Sequence, residues 1–178
     1  MRKTILNSQE WLAQAADHPQ RCINEWDKAP LTPYPLAIGK IFDLVTVHRR
    51  VGERVLAFYD RESTSPGGTV LDVRAAKIGF LVYRNPARPP LTVALACDAK
   101  YRTRCPGLKG YLLASAPLTP DDPDVEKAIT RWLRPPGYFG LYTFRLDALA
   151  AKLAEVAREG KAFPPADKAL STPSRSNR

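Results

Sequence analysis

The chain has 178 residues, 44% hydrophobic and 25% charged, with 27 Lys and Arg against 18 Asp and Glu for a net charge of +9. This composition excludes wholesale disorder, and the length lets one domain bury a core without disulfide or metal staples. No apolar run approaches the 18 residues of a membrane span, and MRKTILNSQEW meets Gln, Glu and Trp before any apolar stretch forms, so neither a membrane segment nor a signal peptide is expected.

Ser8 is expected to cap a short helix over 8–17 with Trp11, Leu12 and Ala15 on one face, and a second helix over 20–28 carries Ile23 and Trp26. Pro30, Pro33 and Pro35 force the next stretch to be extended. KIFDLVTVHR is β-branched and apolar and predicts a buried strand with Asp43 inside it. Val51, Val55, Leu56 and Tyr59 recur at helical spacing over 51–61. The turn STSPGG leads to two expected strands, 69–74 and 77–83, and NPARPP breaks the chain. LTVALACDA is either a strand or a short helix. RTRCPGLKG reads as a basic loop and 110–117 as a buried strand. Acids early and Arg131 and Arg134 late predict a helix over 122–134, and a further helix over 146–159 ends at Gly160. From Lys161 a basic, Pro- and Ser-rich tail is expected to be disordered. The order of elements predicts an α+β (mixed α/β) domain over 1–160, with one central, mostly antiparallel sheet and flanking helices.

The positive charge points to an anionic partner, nucleic acid first and an acidic membrane surface second, although the Ala- and Arg-rich bias of a GC-rich genome raises charge without selection for binding. Cys22, Cys97 and Cys105 form no CxxC and read as reduced thiols of a cytoplasmic protein. His18 and His48 have no companions at ligand spacing, so no metal is expected. No nucleotide-binding loop and no nucleophile elbow is present, and no cofactor is expected. Asp121, Asp122 and Asp124 fit a helix start better than a metal site. Asp43 is costly within an apolar strand unless paired or functional; a structural role bonded to backbone N–H groups or an arginine is weighed against a catalytic one.

Several segments, in order, resemble the N-terminal domain of bifunctional DNA primase/polymerases of the actinobacterial type: PLAIGKIFDLVTV, RVLAFYDRE, SPGGTVLD, RAAKIGFLVY, GLKGYLLASAP and RWLRPP, over residues 20–137. The resemblance implies a degenerate site. Asp43 stands alone, with Val45 where the family places a second acid; Ala75-Ala76-Lys77-Ile78 lacks the family's histidine; Arg102 and Arg104 stand near the place of a third acid. Two-metal phosphoryl transfer needs clustered carboxylates. The resemblance therefore implies a non-catalytic protein with no metal, Asp43 being a remnant, that binds DNA through Lys77, Arg102, Arg104 and Lys109, with Tyr101 and Tyr111 available for stacking. Size, genome bias and this primase/polymerase likeness together resemble replication activator proteins of integrative plasmids, and that resemblance implies a mobile-element replication role with DNA, a replication initiator or another element-encoded protein as partner. The alternatives are a divergent active primase/polymerase using Asp43 with Asp72 or Asp98, a transcriptional regulator, and an interaction module that binds no DNA.

Overall fold

The computed structural model describes residues 7–62, 66–84, 95–104, 107, 109–118, 121–137 and 141–162. Cys105, the NPARPP break, the start of the 91–99 segment and the tail beyond Ala162 lie outside them.

Helix α1 (Ser8–Ala13) is capped by Asn7 rather than Ser8: Asn7 Oδ1 accepts from the Glu10 amide at 2.8 Å while Glu10 reaches back to the Asn7 amide. It stops short of residue 17: the amides of Gln14, Ala15 and Ala16 donate three residues back, to Trp11, Leu12 and Ala13, and the carbonyls of Ala15 and Ala16 then accept from the Ala37 amide and the Lys40 ammonium. Helix α2 (Pro19–Lys28) has proline in its first turn. Strand β1 (Tyr34–Ala37) leads through a turn into β2 (Phe42–His48). Helix α3 (Arg49–Arg61) follows without a break, with His48 Nδ1 accepting from the Arg50 amide. Strands β3 (Thr69–Asp72) and β4 (Lys77–Tyr83) form a hairpin, and β5 (Lys100–Arg102), β6 (Tyr111–Ala114), β7 (Thr130–Arg134) and α4 (Leu146–Ala162) complete the chain.

The fold is α+β. A five-stranded sheet of order β5-β2-β4-β3-β7 is antiparallel throughout. This is the expected central antiparallel sheet with flanking helices; outside it, β6 pairs with β1 in a separate two-stranded ribbon, Leu36 opposite Leu112. The ribbon, with α1 and α2, covers one face of the large sheet. Leu12, Trp26, Leu36, Phe42, Leu44, Val70, Leu81 and Trp132 share that core. Helices α3 and α4 cover the other face through Val45, Val47, Val55, Ile78, Phe80, Val82, Leu149 and Leu153. Alternate residues of β2 thus enter opposite cores, which is why its sequence reads as a nearly continuous apolar run. Close packing of α3 on β4 depends on Gly52, where a Cβ would come within 2.7 Å of the Ile78 side chain.

The helix expected over 122–134 is a single 3₁₀ turn, Val125–Lys127, followed by β7. The acids do start a turn: Asp122 Oδ1 accepts from the Asp124 amide at 2.9 Å, and Asp124 pairs with Lys127 at 2.6 Å. Beyond it, period-two burial wins. Thr130 and Trp132 point inward, the free edge of β3 supplies hydrogen-bond partners, and the Trp132 indole N–H donates to the Ser115 carbonyl at 3.0 Å. Helix α4 also continues through Gly160, where an Arg54–Glu159 ion pair at 2.8 Å ties its last turns to α3. The described part of the 91–99 segment, from Leu95, is neither strand nor helix, and Cys97 and Asp98 both have positive φ.

Candidate nucleic-acid interface

Arg102, Arg104, Lys109 and Tyr111 gather around the turn between β1 and β2. The reason lies in the turn. Gly39 has φ +82°, and a Cβ there would lie 2.3 Å from the Arg104 amide nitrogen, so only glycine lets the two backbones meet. The Ile38 amide donates to the Gly110 carbonyl at 2.9 Å, which fixes the chain bearing Lys109 and Tyr111. Arg102, on edge strand β5 opposite Leu44, extends its guanidinium to Gly110. Asp17 is the acid this group contacts: its Oδ2 accepts from Tyr111 Oη at 3.1 Å and lies 3.9 Å from Lys109 Nζ. Arg102 and Arg104 are exposed and make no ion pair among the described residues. Lys40 and Arg84 add charge nearby, Arg84 donating to the Lys40 carbonyl at 3.2 Å.

Tyr101 does not join them. Strand alternation turns it to the opposite face, where it packs against the α3–α4 core and donates to Asp43 Oδ2 at 2.6 Å. Burial first, then this bond to the carboxylate, pushes the Tyr101 phenol up to about 12. Its ring is half-buried and held, unlike the free stacking surface expected of it. Lys77 lies at the far end of β4, opposite His48, four residues along β2 from the pairing of Arg102 with Leu44, or about 13 Å.

Asp43 is 4% exposed and its second oxygen, Oδ1, has no hydrogen-bond partner among the described residues. Its bonded partner is a tyrosine hydroxyl, not the backbone N–H groups or arginine weighed from the sequence. Asp72 and Asp98 are not brought to it. Asp72 sits at the other end of the sheet, its Oδ1 accepting from the Ala75 amide at 2.9 Å, and Asp98 is exposed in the turn before β5. No group of three or more His, Cys, Asp or Glu side chains is placed to hold a metal ion among the described residues. Cys22 is a buried free thiol, pushed up to about 12 by burial and secondarily by Glu25; Cys97 is free and half-buried, its thiol raised by burial. No described helix is long and apolar enough to cross a membrane.

Sequence reasoning missed Asp17 and Lys100. Asp17 meets Lys109 and Tyr111 across more than ninety residues of chain, which no local pattern reveals. Lys100 had a signal, lying two residues before Arg102 and so on the same side of a strand, but the segment before it did not declare itself as one. No family model, curated protein or solved structure matches this chain.

Proposed function

We propose that the protein is a non-catalytic accessory factor in DNA replication of a mobile element, binding DNA through the basic cluster at the β1–β2 turn. The observation that supports the reading is the convergence of Arg102, Arg104 and Lys109 on one turn with Asp17 as the acid in contact. Such a cluster neutralises phosphates and releases counterions. The non-catalytic part of the reading rests on the sequence resemblance, in which Val45 stands where a second acid is expected and two-metal phosphoryl transfer needs clustered carboxylates. The test is fluorescence anisotropy of labelled duplex and single-stranded DNA across a salt series. Binding should fall steeply with salt, and Arg102→Ala with Arg104→Ala should lower the duplex log–log slope by about 1.8, at about 0.9 per lost phosphate contact. Flat anisotropy at low salt refutes the proposal.

A further inference from the structure

The apolar layer beneath α1, α2 and the β1–β6 ribbon does not reach the end of the large sheet. It stops at Leu44 and Val70, whose side chains close over Gly79. Beyond that line the same sheet face carries Thr46 and His48 on β2, Lys77 on β4 and Lys100 on β5. Their faces follow from register. Lys100 is directly opposite Thr46, Lys77 is directly opposite His48, and both β2 residues alternate with Val45 and Val47, which point into the other core. His48, Lys77 and Lys100 are exposed, and the two lysines make no ion pair among the described residues. Asp72, opposite Lys77, spends one carboxylate oxygen on the Ala75 amide.

We infer that this corner, uncovered among the described residues, is a second contact surface for the phosphodiester backbone of nucleic acid, continuous through Arg102 with the cluster at the β1–β2 turn. The inference rests on the DNA-binding reading and extends it. Arg102 and Lys100 stand about 7 Å apart along β5, and Lys77 lies two strands away, about 10 Å across. These three cations form a two-dimensional patch rather than a single file. Lysine ammonium groups are point charges that bind phosphate without the planar fork that reads guanine. Tyr101 is turned to the opposite face and Tyr83 is at the other end of β4, so neither offers a base a stacking surface here. The surface therefore recognises charge and spacing and is indifferent to sequence.

The experiment uses the full chain, two duplexes of unrelated sequence, and salt-series anisotropy. Lys77→Ala with Lys100→Ala is compared with Arg102→Ala with Arg104→Ala, and Lys77→Gln with Lys100→Gln replaces the alanine pair should it fail to fold by circular dichroism. The lysine pair should lower the duplex slope by about 1.8, as two lost phosphate contacts require, and the wild-type protein should bind both duplexes equally within about twofold. An unchanged slope in the lysine variant, beside a reduced one in the arginine variant, overturns this inference and leaves the turn cluster standing. A tenfold preference for one duplex also overturns it. Absence of wild-type binding removes both readings.

Discussion

Replacing Tyr101 with phenylalanine deletes one hydroxyl and keeps the ring that packs beneath β5. The hydroxyl supplies the hydrogen bond to Asp43 Oδ2 at 2.6 Å, and Asp43 is 4% exposed with no described partner for Oδ1. A hydrogen bond to a charged group contributes about 1.5–3 kcal/mol, and its loss leaves a buried carboxylate short of donors. Tyr101→Phe is therefore expected to lower the unfolding free energy by about 2 kcal/mol at pH 8, and Tm by about 4–8 °C for a chain of this length. Urea melts followed by the fluorescence of Trp11, Trp26 and Trp132 measure the change. Asp43→Asn removes the charge, so the double variant should lose at least about 1 kcal/mol less than the sum of the two singles. The alkaline limb gives a second check. The folded phenol is raised from 10.0 to about 12, so its contribution is complete below about pH 10 and is lost as pH rises to about 12. Tyr59 and Cys22, both raised to about 12 by burial, add alkaline losses of their own, and only the share of Tyr101 should vanish in the phenylalanine variant. A drop smaller than about 0.5 kcal/mol at pH 8, with the alkaline limb unchanged, would show that the bond does not support Asp43.

Three further outcomes follow from the same geometry. Gly39→Ala forces a left-handed alanine, costing about 1–2 kcal/mol before the clash with Arg104 is counted, and should both lower Tm and weaken DNA binding in anisotropy. Trp132→Ala should cost about 3–5 kcal/mol in urea melts, because it empties a fully buried site and strips the Ser115 carbonyl of its indole donor. Asp17→Asn should leave stability within about 1 kcal/mol, since the Lys109–Asp17 pair is largely exposed, while tightening duplex binding about threefold, the effect of removing a unit charge about 7 Å from a phosphate in water.

The elements that were legible from sequence are those whose pattern is local. The 3.6-residue spacing of Val55, Leu56 and Tyr59 and the apolar run from Phe42 to Val47 placed α3 and β2 to within a residue or two. The segment 125–134 misled because its end charges suited a helix, while its fate depended on the unpaired edge of β3, some sixty residues earlier in the chain. The partner of Asp43 was hidden for a related reason. Tyr101 reaches it diagonally across a strand pair whose register the sequence does not announce. The grouping of Arg102, Arg104 and Lys109 was readable as a basic loop, but its counter-ion at Asp17 and its separation from Lys77 are set by the glycine turn and by strand order.

The two outer strands of the large sheet meet solvent on unequal terms. On β7 the Ser115 amide and hydroxyl bond Thr130, so the incoming chain occupies the start of that edge. Strand β5 has no such cover among the described residues, is three residues long, and carries Lys100 and Arg102. Brevity and like charge are what keep an open strand from templating onto a second copy of itself. Lys100 and Arg102 supply that like charge on β5, so neutralising them is expected to raise self-association, read by light scattering. Polyanions and high salt, which mask these charges, would then be expected to favour self-association along this edge.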